Sequence, residues 1–218
     1  MSPEEFQKII ADNAETINAI KDSAHNLHAN VNQHYDGTLP YGFHLDMVAD
    51  SIYKYGNEVC ADAGDVLPLF FGAYYHDSIE DARLTYNDVI AEALRFMDKR
   101  QALVAAEIVY ALTNDKGRTR AQRAGAKYYR GIRKTPYAPF MKLADRLANI
   151  TYSCQGKNEN NCHMREVYRR ELPHFLEAID CTRCPSENDK QPDCRFSLPN
   201  KMIERIENII NSSISNEN

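Results

Sequence analysis

No stretch of this sequence approaches the roughly 20 consecutive apolar residues that a membrane-spanning helix needs. The opening Met1-Ser2-Pro3-Glu4-Glu5 also lacks the basic-then-apolar layout of a secretion signal. A cytoplasmic protein with no membrane partner is the expectation. Cysteine is sparse and unevenly spread: Cys60, Cys154, Cys162, Cys181, Cys184 and Cys194 are too few among 218 residues for a disulfide framework, so reduced thiols are expected. Excess positive charge is missing too. The formal net charge of −5 argues against general attraction to nucleic acid, and any anion site has to be built locally. No internal repeat is visible, no segment reads convincingly as a strand, and low-complexity character is confined to the polar tail 211–218, which is expected to fray.

What is present is helical periodicity in a chain that is 43% hydrophobic, long enough to bury a substantial core as one compact unit spanning 1–218. Ser2-Pro3-Glu4-Glu5 supplies a cap, a proline at the first helical position and an acidic first turn. Phe6, Ile9, Ile10, Ala14, Ile17 and Ile20 follow at helical spacing, which predicts one long first helix. Asp36-Gly37 and Pro40 mark a turn before a second helix over 43–57. The stretch 66–81 is apolar nearly all round, with Leu67, Leu69, Phe70, Phe71 and Ala73, as a helix at the centre of a bundle should be. Thr85 with Asp88 resembles a capping box that opens a helix to about residue 99. Further helices are predicted over 102–112, 136–152 (begun at Pro136), 161–180 and 199–212, with irregular connections at 154–164 and 182–198. Tyr74, Tyr75, Tyr128 and Tyr129 read as packing elements. The predicted class is all-α, a helical bundle.

Chemistry concentrates in Tyr75-His76-Asp77-Ser78-Ile79-Glu80-Asp81, where polar groups interrupt a run that otherwise wants burial. Burying them without partners would be costly. On a helix, His76 and Glu80 lie four apart, as do Asp77 and Asp81, so one surface would carry both pairs. Asp145 and Asn149 share a face of another apolar helix, and His44 opens the helix after Pro40-Tyr41. Two imidazoles (His44, His76) and two carboxylates (Asp77, Asp145) form a nitrogen and oxygen donor set without thiolate. Such a set suits a hard or borderline divalent ion: manganese, iron, magnesium, zinc or nickel. An ion of this kind lowers the pKa of bound water and polarises a phosphoryl oxygen, and Glu80 and Asp81, one turn beyond, are the candidates to orient or deprotonate that water.

The order His44, then His76-Asp77, then Asp145 resembles the HD superfamily of metal-dependent phosphohydrolases. Several segments resemble more closely the hydrolase domain of the RelA/SpoT homologues, in the size range of the small alarmone hydrolases and the metazoan SpoT homologue. These are Pro40-Tyr41-Gly42-Phe43-His44 with Val48-Ala49, the box 76–81, Thr113-Asn114-Asp115-Lys116 with Arg123, and Lys142-Leu143-Ala144-Asp145-Arg146 with Asn149. The likeness covers about residues 20–180. It implies an HD-domain all-α fold, one Mn2+, and removal of the 3′ pyrophosphate from a guanine alarmone, guanosine tetra- or pentaphosphate. It further implies that Glu80 and Asp81 assist the attacking water, that Asn149 meets the nucleoside, that Lys116 and Arg123 face the phosphates, that Lys142 also binds substrate, and that Tyr168 stands at the substrate mouth.

The chain departs from that pattern at three places. Gln33-His34 stands where the family carries a basic pair, Leu45 replaces a proline, and Gly42-Phe43 replaces an apolar-Asn pair. These changes spare the donor set but leave two alternatives open: an HD-type phosphatase that releases orthophosphate from nucleotides, and a nucleotide-binding module without turnover. The basic stretch Lys116, Arg118, Arg120, Arg123, Lys127, Arg130, Arg133 and Lys134 reads either as a solvated face or as a phosphate funnel, and its neighbourhood favours the funnel. Cys181-Thr182-Arg183-Cys184 is a single CxxC pair. A closed zinc site needs two more ligands, so unpaired loop thiols are expected.

Overall fold

The computed structural model describes residues 1–114, 116–156, 158–180 and 198–215. Asp115, the cysteines Cys181, Cys184 and Cys194, most of the predicted connection 182–198 and residues 216–218 lie outside the described residues.

Local chemistry sets the elements. Ser2 accepts from the Glu5 amide and starts α1 (Pro3–Asp12), but the predicted long first helix is two helices. At Asn13 the side-chain amide donates to the Ile9 carbonyl at 2.8 Å, an intrahelical partner that competes with continuation, and α2 (Ala14–Asn30) restarts after it. A two-residue ribbon follows, β1 (His34–Tyr35) antiparallel to β2 (Leu39–Pro40), with His34 opposite Pro40. Asp36 and Gly37 take successive left-handed conformations (φ 49° and 73°) that the tight reversal requires. Then come α3 (Gly42–Val59), a 3-10 turn at Ala63–Asp65 and α4 (Val66–Tyr75). The boxes expected at Thr85/Asp88 and found also at Asp98/Gln101 cap α5 (Tyr86–Ala93) and α6 (Lys99–Leu112), each cap stabilising its helix by about 1 kcal/mol. The chain closes with α7 (Arg120–Arg123), α8 (Ala126–Lys134), α9 (Ala138–Gln155), α10 (Glu159–Ile179) and α11 (Asn200–Ser215).

Three further expectations are corrected. The central helix ends at Tyr75, not Asp81: residues 76–82 form turns in which the Ser78 amide bonds Tyr75 O and the Leu84 amide bonds Ser78 O. Helix α9 starts at Ala138, because Tyr137 is left-handed (φ 65°) with its hydroxyl donated to Asp65 Oδ2 at 2.6 Å. The connection expected over 154–164 shrinks to three residues, since α9 runs to Gln155 and α10 is capped by Asn158, which accepts from the Asn161 amide.

The architecture is all-α apart from the ribbon among the described residues. Helix α4 is the core, with Leu69, Phe70, Phe71 and Ala73 fully buried against α2, α3 and α6. Gly72 permits close approach: a Cβ there would meet Ile108 of α6 at 2.8 Å and Met141 of α9 at 3.1 Å. Packing α3, α4 and α9 together in this way brings the first turn of α3, the C-terminus of α4 and the middle of α9 to one place. None of the described helices is long and apolar enough to cross a membrane.

Candidate metal centre

His44 projects from the first turn of α3, His76 caps the C-terminus of α4, Asp77 follows it, and Asp145 comes from α9. The His44 and His76 Nε2 atoms are 3.2 Å apart, with Asp145 Oδ1 at 3.4 Å from the first and 4.0 Å from the second. The donor atoms of His44, His76 and Asp145 all lie within 4.8 Å of one another, as a shared cation requires. Asp77 Oδ2 joins them at 2.9 Å from His76 Nε2 and 3.7 Å from His44 Nε2. Both imidazoles are buried.

The protonation chemistry fits a cation. His76 Nδ1 lies 2.9 Å from the Ala73 carbonyl, which assigns a hydrogen to Nδ1 and leaves Nε2 as a lone pair aimed at the cluster when the ring is neutral. Burial alone would lower the His76 imidazole, but Asp77 and then Asp145 outweigh it and hold it up at about 9. A buried place that binds a proton this firmly is one that calls for positive charge. Burial likewise opposes the charged form of both carboxylates; His76 holds Asp77 well below the usual carboxylate range, and Lys142 does so for Asp145. Lys142 Nζ sits 2.9 Å from Asp145 Oδ2, and the attraction of Asp145 outweighs burial and raises the ammonium. Asn149 donates to Asp145 Oδ1 at 2.6 Å and accepts from the Tyr35 hydroxyl at 2.9 Å, while the Tyr35 ring stacks on His44 with centroids 5.0 Å apart. At Gly42 a Cβ would strike the His25 ring at 2.7 Å.

The two catalytic candidates part company. Glu80 is exposed and its carboxylate accepts from both the backbone and side-chain amides of Asn114. Asp81 is half-buried. Burial first and Asp77 second push it up to about 6, with the nearby Tyr41 hydroxyl, itself hydrogen-bonded to Asp77, acting the other way.

A cavity of about 900 Å³ adjoins the centre, and His44, Asp77 and Asp145 are among the residues that line it. Of the candidate substrate residues, Lys142, Asn149, Arg123 and Tyr168 line it, while Lys116 is exposed and outside its wall. Sequence reasoning did not assign one further feature of the cavity lining. There Glu171 pairs bidentately with Arg120 (2.9 and 3.1 Å) and also with Arg146 (2.9 Å), whose guanidinium lies against the rings of Tyr168 (4.8 Å) and Phe175 (4.3 Å). The neighbour of Asp145 in sequence, Arg146, was a visible signal; its partner on α10 was not. Arg120, Arg123, Arg130 and Arg133 of the basic stretch are among the residues that line the cavity.

A scan against models of known protein families finds no match to this chain, and a search of curated proteins finds none either.

Proposed function

We propose that the chain is a metal-dependent phosphohydrolase of the HD type, acting as a 3′-pyrophosphohydrolase on guanosine tetraphosphate or a close relative, with one divalent ion, Mn2+, held by His44, His76, Asp77 and Asp145. The observation that carries this reading is the convergence of donor atoms from three separated segments, within 4.8 Å for His44, His76 and Asp145, beside a cavity of about 900 Å³ whose lining holds His44, Asp77 and Asp145 together with several arginines. When bound, the ion supplies Lewis acidity toward a phosphoryl oxygen and acidifies water. The chain's own residues do the remainder. Arg120, Arg123 and Lys142 offer charge-assisted hydrogen bonds to phosphate oxygens. Asp81, at about 6, is suited to take up a proton near neutral pH. Glu80, through Asn114, holds the start of the segment that carries Arg120 and Arg123.

A second reading, a phosphatase that releases orthophosphate from nucleotides, draws on His34. It stands at the missing basic pair and is exposed, with Nδ1 turned to the Asn32 carbonyl at 3.0 Å, so the cations of the cavity come from α7 to α9 instead. One assay separates the two. With Mn2+ and guanosine tetraphosphate the chain is expected to release pyrophosphate and guanosine diphosphate. Orthophosphate alone from a nucleotide panel selects the second reading, and metal uptake without turnover of any nucleotide rejects both in favour of a binding module.

A further inference from the structure

Tyr41 is the last residue before α3 and touches two donor segments at once. Its carbonyl accepts the amide of His44 at 2.9 Å, while its hydroxyl donates to Asp77 Oδ2 at 2.5 Å. That oxygen is the one facing both imidazoles, so the hydrogen bond falls on the atom that would meet a cation. The phenol ring is held on several sides. The ring of His28, from α2, stacks on it with centroids 4.6 Å apart and planes 19° off parallel, and Tyr35 and His44 meet it edge-on at 6.3 and 5.6 Å. His28 is wholly buried, and neither of its ring nitrogens finds a hydrogen-bond partner among the described residues. A buried imidazole that forgoes its hydrogen bonds costs the fold free energy that a phenyl ring would not. What it presents to Tyr41 is its flat face.

We propose that Tyr41, braced by the face of His28, is a positioning residue for the metal centre: it ties the His44 and Asp77 segments together and fixes the orientation of the Asp77 carboxylate, whose Oδ2 faces both imidazoles. The proposal rests on the reading of His44, His76, Asp77 and Asp145 as donors, but not on the identity of the substrate.

The test is Mn2+ affinity of the full chain, read from the paramagnetic resonance of free ion, beside the melting of the metal-free protein. Tyr41→Phe, which keeps the stack and removes only the hydroxyl, is expected to weaken Mn2+ binding about 10–100-fold, as loss of a partner that orients a ligand does. Its metal-free melting should stay near native. His28→Ala is expected to weaken binding similarly, and His28→Phe, which restores a flat ring, to recover it. Native affinity in Tyr41→Phe overturns the proposal. If Tyr41→Phe does not fold, the His28 pair decides: rescue by phenylalanine supports the brace, and equal affinities in the two variants overturn it. A native chain that takes up no Mn2+ removes the metal reading together with this one, whereas a native chain that binds Mn2+ but hydrolyses nothing removes only the assigned reaction.

Discussion

Asn114 gives both its backbone N–H and its side-chain amide to the carboxylate of Glu80, 34 positions earlier in the chain. The bond joins the turn after α4 to the segment that leads into the arginines of the cavity wall, so an acidic residue read from sequence as a partner of water is also a structural tie.

Removing that tie should loosen the segment. A hydrogen bond to a charged group contributes about 1.5–3 kcal/mol. Glu80→Ala is therefore expected to speed amide exchange at Asn114 and its neighbours by roughly 10–100-fold, with exchange in α4 unchanged, as read by hydrogen–deuterium exchange. Unaltered protection at Asn114 would show that the bond does not order the loop.

Metal binding should release protons. His76, held up at about 9 in the metal-free chain, is charged at pH 7.5 and must lose its proton to become a donor. Calorimetry in buffers of different ionisation enthalpy is expected to show close to one proton released per Mn2+ at that pH. The affinity should rise with pH and level off above about 9. The same shift makes the metal-free fold lose His76's contribution as pH rises from 6.5 through about 9, the direction required of a group whose folded-state value is raised.

His28 acts at the other side of neutrality. Burial first, with Asp77 opposing it, lowers its imidazole to about 4, so between pH 6.5 and about 4 the unfolded chain binds a proton that the fold refuses. Its contribution is complete above 6.5 and declines as pH falls through that window. Chemical denaturation across pH should therefore show a shallower acid limb for His28→Phe than for the native chain. Parallel limbs would mean that this ring does not remain neutral in the fold.

Lys142 is the buried partner of Asp145, with the two side chains 16% and 14% exposed. Breaking such a pair from one side costs about 3–5 kcal/mol because the remaining charge is stranded. Lys142→Met is expected to lower metal-free stability by that order, and saturating Mn2+ should recover part of it by supplying positive charge. Thermal melts with and without the ion measure both quantities.

Arg120 tests the cationic lining of the cavity. Its removal leaves Glu171 paired with Arg146, so the cavity keeps its shape and loses one cation. Arg120→Ala is expected to raise KM about tenfold, the equivalent of about 1.4 kcal/mol, with Mn2+ affinity native. A fall in metal affinity instead would place the residue's influence at the donor cluster.

How much was legible in the sequence follows from the range of each interaction. The capping box at Thr85/Asp88, the buried stretch beginning at Val66 and the reversal at Asp36-Gly37 depend on neighbours within a few positions, and all three are present. The boundaries that failed, at Asn13, Tyr75 and Tyr137, depend on a side chain's choice of partner or on a turn stabilised from elsewhere. His44, His76, Asp77 and Asp145 were recognisable as donor types in a particular order, but their order carries no distances. The 3.2 Å between the two imidazoles was not readable from it.

The sequence by itself determined that the chain is helical and that its few buried ionisable residues sit on apolar segments, because periodicity and the cost of burying charge are local properties. Only the tertiary structure decided that Tyr41 reaches Asp77, that His28 lies behind Tyr41 and that Arg146 shares Glu171 with Arg120. Each of those contacts joins segments brought together by the packing of α2, α3, α4, α7, α9 and α10, and a hydrogen bond of about 3 Å is set by where whole helices come to rest.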